Sequence, residues 1–325
     1  MSKIMEIEAL DIESFPKGMI SRAKITIVRD GMGAPVQVPL LVARGNKPGP
    51  VFGITAALHG NEINGIPVIH RIFQRLDPAQ IRGTIVAVVV VNVPAYLRHE
   101  RVYIDGRDLN RTMPGKPAGN VSEVYAHRIL DRVVRHFNYL VDLHTASFGR
   151  VNSLYVRADI GHEETGRMAR LLRPQIILHN PPNDATLRGA AAGMGIPAVT
   201  LEIGDPQRFQ PEFIKRSRAG IRGVMAEFGV VPRRAVEPRE SPIVCKSSKW
   251  MFTEAGGVLE VYPKVTERVD AGERIARLTN IFGDHRGDYL APHDAVVIGK
   301  SVNPTGHTGA RIAHLGLEAE EGWAP

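Results

Sequence analysis

The stretch VFGITAALHGNEING, residues 51–65, decides the fold of this chain. Its first half is rich in Val, Ile and Ala and follows the breaker KPGP (47–50), a pattern typical of a buried β-strand. Its second half, HGNE (59–62), precedes a helical pattern, so the side chains of His59 and Glu62 can converge above the sheet edge. Such a pair forms half of a zinc site, although an isolated HxxE more often holds a packed histidine beside a solvated glutamate.

Strands and helices alternate around this stretch up to residue 229, which predicts an α/β fold with a mixed, mostly parallel sheet and helices on both faces. Two of the strands precede it, within residues 19–45. Apolar, β-branched runs predict strands at 20–28, 36–43, 51–58, 84–93, 139–144, 153–157, 175–178 and 198–202. Apolar spacing and end signals predict helices at 63–76, 120–137, 163–172, 186–194 and 212–228.

The pattern changes after Val231, where a Pro-containing linker begins. We therefore expect two domains: an α/β domain over residues 1–235 that carries the chemistry, and a small all-β domain over 236–325. The second domain is predicted from short β-like pieces between Gly, Pro and Asp turns, at 250–252, 257–261, 275–278 and 295–298.

The composition, with 43% apolar and 23% charged residues, is that of an ordinary soluble globular protein. No apolar run reaches the roughly 18–20 residues of a membrane helix, and the N-terminus lacks a signal-peptide core, so we expect a cytoplasmic protein without membrane contact. The single cysteine, Cys245, fits a reducing compartment and excludes an all-thiolate metal site. The net charge of +7 suits a small anionic substrate, and no signature accompanies the scattered arginines that would predict nucleic acid binding.

Polar residues follow several predicted strands at the edge where ligand sites of parallel sheets collect. His59 follows the first, His144 ends the strand YLVDLH, and Glu202 ends the strand AVTLE. Two histidines with Glu62 leave a fourth position for water, which is the arrangement of a catalytic zinc. We therefore predict one zinc ion per chain on His59, Glu62 and His144.

Glu202 and Asp142 are the remaining carboxylates at these strand ends. A carboxylate that ends an apolar strand is costly unless it has a role or a partner. Glu202 is thus a candidate general base for the attacking water, with a cap or an ion pair as the alternative. Asp142 lies on the same side of its strand as His144 and is placed to orient that ligand or a partner.

The long irregular segment 94–120 carries a second group of candidates, and such a loop inside a compact domain is usually functional. Asn110 and Arg111 are adjacent and suited to grip a substrate carboxylate. Arg101 is a candidate for directing positive charge at the carbonyl oxygen where negative charge develops. Two neighbouring arginines are Arg98 and Arg107. Each is equally well interpreted as a solvated surface cation or as an alternative to Arg101 for that role.

Together the motifs resemble those of the aspartoacylase/succinylglutamate desuccinylase family, a branch of the zinc-carboxypeptidase fold. In matching order and spacing they are HGNE (59–62), DGRDLNR with a following Pro-Gly (105–115), DLH (142–144) and LEIG (201–204). The resemblance spans about residues 45–230, and the C-terminal stretch is similar to the β-rich end domain of bacterial members.

Two features depart from the family pattern: the spacing from Arg101 to Asn110 is longer than in the aspartoacylases, and the later substrate-binding tyrosine and arginine have no clear match. By matching position, the resemblance implies zinc ligands at His59, Glu62 and His144, a general base and proton shuttle at Glu202, a carboxylate clamp at Asn110 and Arg111, and carbonyl polarisation by Arg101.

The resemblance therefore implies a zinc-dependent deacylase, an amidohydrolase that cleaves the carbon–nitrogen bond of a small anionic N-acyl amino acid or related compound. A zinc carboxypeptidase that removes a C-terminal residue from a short peptide is the alternative. A binding module without the reaction predicts a missing ligand or base, and none is missing. N-acetyl-diaminobutyrate is one candidate substrate, but the sequence does not decide the acyl group. The oligomeric state also stays open, and a homo-oligomer is one of the possibilities.

Overall fold

The structure of the chain is a computed structural model that describes residues 3–182, 185–233, 241–320 and 323. The predicted domain boundary between residues 235 and 236 lies outside these ranges, so the division into two domains stays a prediction. Strands within the described ranges are labelled β1 to β18 in chain order: Ile4–Ile7, Met19–Arg29, Pro35–Arg44, Lys47–Ala56, Arg82–Val88, Tyr139–His144, Arg150–Asn152, Leu154–Ala158, Ile176–His179, Ala198–Ile203, Ile243–Phe252, Gly257–Val261, Arg268–Val269, Arg274–Thr279, His285–Leu290, Ala295–Ser301, Thr305–Gly306 and Arg311–Glu318.

The helices are shorter than most of the predicted ones, because their end turns do not complete the helical hydrogen-bond pattern. Within the same ranges the α-helices are α1 to α6: Gly65–Phe73, Val93–Arg98, Val121–Arg132, Glu163–Leu171, Leu187–Gly193 and Pro211–Glu227. Single 3-10 turns lie at Ile12–Ser14, Pro78–Gln80, Leu109–Arg111 and Val134–His136.

Most of the strands form one large mixed sheet, in the order β1-β2-β3-β5-β4-β6-β10-β8-β9-β11-β18-β16-β13, with β7 paired to β16. Its central strands β5, β4, β6 and β10 are parallel neighbours, as the alternation of strands and helices predicts. Among the described ladders of this sheet, however, six are parallel and seven antiparallel. The mixed α/β class is confirmed, and the expected parallel majority is not.

The C-terminal strands divide between two sheets. Every element described in residues 241–320 is a strand, in line with the predicted β-rich composition of this part. Strands β15, β14, β12 and β17 form a separate small sheet, but β11 pairs in parallel with β9 and β16 pairs with β7. Because these ladders continue the large sheet into the C-terminal part, a separate all-β domain is not confirmed.

Helices pack on both faces of the central strands, because the alternation of side chains gives each strand two apolar faces. One buried cluster contains Ile69 of α1, Met168 of α4 and Val224 of α6. The other contains Ile129 of α3 and Leu187 of α5. Among the described helices, none has the length and apolar character needed to cross a membrane.

One prediction near the site is wrong in its boundary. The apolar run 84–93 was expected to be a single strand, but β5 ends at residue 88 and the run continues into α2. The side chain of Asn92 accepts a hydrogen bond from the backbone N–H of Ala95 at 3.2 Å, and Pro94 occupies the first turn. A side-chain cap and an early proline are start signals of a helix, and here they outweigh the β-branched composition.

Candidate metal centre

The turn after β4 carries His59 and Glu62, and two backbone features fix its path. Ala57 adopts φ +52°, a left-handed conformation that is uncommon for a residue with a side chain. Gly60 packs directly on α2, where an added Cβ would lie 2.1 Å from the carbonyl carbon of Ala95. Only glycine allows this approach, so packing requires the glycine of HGNE at position 60.

The structure brings His59, Glu62 and His144 into one buried group. Each side chain offers one ligand atom, and these atoms lie within 4.8 Å of one another. Glu62 Oε1 is 2.9 Å from His59 Nδ1, and Glu62 Oε2 is 3.0 Å from His144 Nδ1. His144 is the last residue of β6. The carboxyl end of β6 lies beside that of β4, because the two strands are parallel neighbours. The predicted convergence at the strand ends is therefore observed.

The outer nitrogens of both histidines face carboxylates. Nε2 of His59 is 2.9 Å from Asp108 Oδ1, and Nε2 of His144 is 2.7 Å from Asp142 Oδ2. The expected contact between Asp142 and His144 is thus confirmed. A carboxylate on the outer nitrogen holds the N–H there and leaves the inner Nδ1 as a lone-pair donor.

This arrangement fits a metal ion. With their N–H groups on Nε2, His59 and His144 turn two Nδ1 lone pairs towards each other at 3.2 Å, beside the Glu62 carboxylate. Lone pairs and a negative charge crowded in this way repel unless a cation lies between them. Two imidazole nitrogens and one carboxylate oxygen form the donor set of a catalytic zinc site that keeps one position open.

Glu62 is held by protein groups as well as by the histidines. It accepts hydrogen bonds from the backbone N–H of Thr145 at 3.1 Å and from the hydroxyl of Ser147 at 3.1 Å. Burial raises the pKa of Glu62, but the positive charges and hydrogen bonds that His59 and His144 supply in their protonated forms outweigh burial and hold it well below its ordinary value. The carboxylate is therefore ionised, as a metal ligand must be.

Glu202 lies at the carboxyl end of β10, opposite His144 in the ladder with β6, and lines the same cavity. Its closest ionic neighbour within the described ranges is Arg157, whose Nε is 3.8 Å from Oε1. Burial raises the pKa of Glu202; the charge of His144 lowers it in part, and the charge of Glu62 raises it further. A carboxyl whose pKa lies above its ordinary value is better suited to accept and return a proton.

Arg101 is the arginine of the predicted loop that reaches the group. It donates from Nη1 to Glu62 Oε1 at 2.8 Å and to Ser147 Oγ, and from Nε and Nη2 to Asp108 Oδ2 at 3.1 and 2.8 Å. Four of its five N–H groups are thus engaged, which leaves one on Nη2. The alternatives do not reach the cavity, because Arg98 pairs with Glu100 and Arg107 lies near Asp105.

Asn110 and Arg111 lie in the 3-10 turn of the loop and line the cavity. The side-chain oxygen of Asn110 accepts a hydrogen bond from the backbone N–H of Leu187 at 2.9 Å, which leaves its amide N–H groups for another partner. The guanidinium of Arg111 donates to the backbone carbonyl of Asn110, and within the described part of the chain it has no carboxylate partner. Both are placed to receive an anion, and their roles as a substrate clamp stay predictions.

The cavity beside the metal group has a volume of about 560 Å³ and includes residues that sequence reasoning missed. Several come from outside the predicted strand-end motifs, because β7 and β18 were not predicted and β11 was predicted only at its end. A ladder between distant strands leaves no mark in local sequence pattern. The missed side chains at this wall are Arg150, Tyr155, Arg157, Arg188, Ser248, Trp250, Arg311 and His314.

Comparison with known proteins gives a consistent result. Residues 48–228 match the sequence model of the succinylglutamate desuccinylase/aspartoacylase catalytic domain. The chain is 25% identical over 293 residues to the N-alpha-acetyl-L-2,4-diaminobutyric acid deacetylase of Halomonas elongata, covering 86% of this chain and 85% of that protein. It is 25% identical over 170 residues to the succinylglutamate desuccinylase of Pseudomonas paraeruginosa, covering 48% and 51%.

Solved structures share the fold. The product-bound ectoine utilization protein EutE (DoeB) of Ruegeria pomeroyi superposes with a TM-score of 0.84 at 21% identity, covering 94% of this chain and 98% of that one. A succinylglutamate desuccinylase/aspartoacylase of Rhodobacter sphaeroides gives a TM-score of 0.84 at 22% identity, covering 96% and 99%. At these coverages both superpositions extend well beyond residues 48–228, the part that matches the catalytic-domain model.

Proposed function

The chain belongs to the succinylglutamate desuccinylase/aspartoacylase family, and on that premise we propose that it is a zinc-dependent deacylase that hydrolyses the amide bond of a small N-acyl amino acid. The observation that carries the proposal is the buried group of His59, Glu62 and His144 beside Glu202 in one cavity. The relatives support the reaction class, since one is a deacetylase and one a desuccinylase.

In this proposal the substrate is bound through its free carboxylate. Arg111 and Asn110 both line the cavity, and the guanidinium of Arg111 and the amide N–H groups of Asn110 can together hold a carboxylate. Fixing that end orients the amide carbon towards the three-ligand group, which lowers the entropic part of the barrier.

A zinc ion held by His59, Glu62 and His144 would polarise the amide carbonyl and lower the pKa of a bound water to about 7. Glu202 takes the proton of the attacking water, because burial has already raised the pKa of its carboxyl. The same carboxyl then returns the proton to the leaving amine. The N–H of Arg101 that remains on Nη2 is available to the developing oxyanion, while its other bonds hold Glu62 and Asp108 in position.

A substrate panel with one variant tests this proposal. Purified protein reconstituted with zinc is assayed for amine release from N-acyl amino acids and, in parallel, from dipeptides and tripeptides. We expect release from N-acyl amino acids, and Glu202→Gln should reduce kcat by about 10²–10⁴ while keeping its zinc, measured by elemental analysis. Full activity of Glu202→Gln would contradict the mechanism, and faster cleavage of the peptides would favour a carboxypeptidase instead.

The variant needs a control that leaves the cavity untouched. Glu164→Gln suits this purpose, because Glu164 lies on α4 and its carboxylate contacts the hydroxyl of Tyr139 outside the cavity. Equal zinc content and equal turnover for Glu164→Gln and the unchanged protein would assign the loss of turnover to the substitution of Glu202.

The cytoplasmic location stays a prediction from composition.

A further inference from the structure

Glu202 of β10 shares one face of the sheet with two residues of the neighbouring strand β8. In this antiparallel ladder Tyr155 is directly opposite Glu202, and Arg157 is opposite Thr200. Residues that are paired across a ladder, or that lie two apart along one strand, have their side chains on the same face of the sheet. All four side chains line the metal cavity. The ladder therefore brings Tyr155 and Arg157 to the side of the proposed general base.

The side chain of Tyr155 holds the guanidinium group of Arg157. Nη2 of Arg157 donates a hydrogen bond to the Tyr155 hydroxyl at 2.9 Å, and Cζ lies 5.3 Å from the centroid of the Tyr155 ring. Tyr155 is only 2% exposed, and burial raises the pKa of its hydroxyl, so the phenol is neutral. Because a closely packed ring has little room to move, the guanidinium bound to it is fixed relative to β8.

The guanidinium of Arg157 attracts Glu202 without a short bond to it. Nε of Arg157 lies 3.8 Å from Oε1 of Glu202, a separation beyond a hydrogen bond but within the range of charge attraction. The side chains are 29% and 13% exposed, so water screens their attraction only in part. On the other carboxylate oxygen, the side-chain amide of Asn152 lies 3.4 Å from Oε2. The position of the carboxylate therefore depends on the charge of Arg157.

The charges around Glu202 come from the metal group and from Arg157. Burial raises the pKa of Glu202, the charge of His144 lowers it, the charge of Glu62 raises it, and the charges of Arg157 and His59 lower it. His59, Glu62 and His144 are the predicted metal ligands. Arg157 is thus the member of this set that can direct Glu202 without also holding the metal.

A proton shuttle needs this kind of attraction. In the proposed reaction Glu202 takes a proton from the attacking water and returns it to the leaving amine, so its carboxyl serves two positions in turn. A short hydrogen bond to a neighbour would restrain the carboxyl at one position. An attraction over 3.8 Å favours one orientation of the side chain and still allows it to move between the two.

We propose that Arg157, held by Tyr155, is a positioning residue that directs the carboxylate of Glu202 in the metal cavity. This inference rests on the proposed function and adds one residue to it. Arg157 acts through Glu202 and not on the substrate. Its loss is therefore expected to change kcat and to leave KM unaltered.

Steady-state kinetics of the zinc-loaded protein test this role. Arg157→Gln should lower kcat about 10- to 100-fold, because a small misplacement of a reacting group has an effect of that size. Arg157→Lys keeps the positive charge and should recover most of the lost kcat. In Glu202→Gln, which has no carboxylate to direct, adding Arg157→Gln should lower kcat no further. A raised KM with unchanged kcat would overturn the proposal, and so would an equal loss of kcat in both backgrounds.

Arg274→Gln is the matched control. The Arg274 guanidinium also lies over a tyrosine ring, Tyr262, at 5.2 Å, and 3.6 Å from a carboxylate, Asp288, but outside the cavity. We expect its kcat and KM to equal those of the unchanged protein. A loss of kcat in Arg274→Gln as large as that in Arg157→Gln would overturn the assignment to Glu202.

Unfolding of the metal-free protein tests the pair of residues without any substrate. At neutral pH, Arg157→Gln should lower the Tm of the parent more than it lowers the Tm of Glu202→Gln, because only the parent keeps the carboxylate that the guanidinium attracts. If no N-acyl amino acid is hydrolysed, the proposed function fails, but these four melting curves still decide whether Arg157 holds Glu202. Equal losses of Tm in the two backgrounds would overturn the inference.

Discussion

Replacing Asp142 by Asn tests whether the His59–Glu62–His144 group is a metal site. Asp142 is fully buried, with Oδ2 2.7 Å from His144 Nε2 and Oδ1 accepting a hydrogen bond from Thr55 Oγ1 at 2.6 Å. An asparagine in the same position can direct its amide oxygen to His144 and its amide nitrogen to Thr55. The substitution therefore keeps the shape and the histidine tautomer and removes only the negative charge.

The expected loss follows from the role of that charge. A carboxylate on the outer nitrogen makes the inner nitrogen a stronger donor, and removing such a partner typically weakens metal binding about 10- to 100-fold. This corresponds to about 1.4–2.7 kcal/mol of binding free energy. Asp142→Asn should lie at the lower end, because the hydrogen bond survives. Asp142→Ala should lie at the upper end or beyond, because Thr55 and His144 both lose their partner.

Competition with a chromophoric chelator measures the zinc affinity of each variant. Asp205→Asn is the matched control, because Asp205 is also a buried carboxylate, bound by Gln210 and Arg208 outside the cavity. We expect its zinc affinity to equal that of the unchanged protein. If Asp142→Asn bound zinc as tightly as Asp205→Asn, the Asp142 carboxylate would not tune a metal ligand and the account of the site would be wrong.

Three further predictions concern stability and packing. Because burial raises the pKa of Glu202, the ionised carboxylate destabilises the folded state, and the stability of the fold declines as the pH rises from 4.5, the ordinary pKa of the group, through the pKa in the folded protein. The metal-free Glu202→Gln variant should therefore have a higher Tm than the metal-free parent at neutral pH and the same Tm in acid. A lower Tm of the variant at neutral pH would contradict this. Asn120→Ala removes the capping box of α3 and should cost about 1 kcal/mol in the free energy of unfolding by urea; an unchanged midpoint would show that the cap is dispensable. Gly60→Ala should cost about 1–3 kcal/mol and weaken zinc binding, because the new Cβ meets the backbone of α2, whereas Gly193→Ala, with open space around it, should do neither.

The parallel centre of the sheet and its strand-end residues could be predicted because each leaves a local mark. An apolar β-branched run ending in a polar residue predicts a strand that delivers that residue to the sheet edge, as β4, β6 and β10 do for His59, His144 and Glu202. Parallel neighbours share that edge, so residues far apart in sequence are expected to meet there. The contact of Asp142 with His144 follows from the same two-residue alternation.

The remaining wall of the cavity could not be predicted, because it depends on strand pairing over long sequence separations. Arg150 comes from a three-residue strand, and Arg311 and His314 come from a strand whose pairing with β11 contains irregular register. Nothing in the local pattern of any of these segments indicates the others. The same reason explains why the expected parallel majority of the sheet was not found. The antiparallel ladders outside the parallel centre join segments whose order along the chain does not predict their order in space.

Zinc titration of the metal-free protein tests the central claim most directly. Chelator-treated protein is mixed with increasing zinc, and amine release from the best N-acyl amino acid of the panel is measured at each step. We predict no activity without metal, a linear rise, and a break at about one zinc per chain, the stoichiometry of a three-ligand catalytic site. His144→Ala should show neither the rise nor the break. Full activity of the metal-free protein, or activity that continues to rise well beyond one equivalent, would contradict the account.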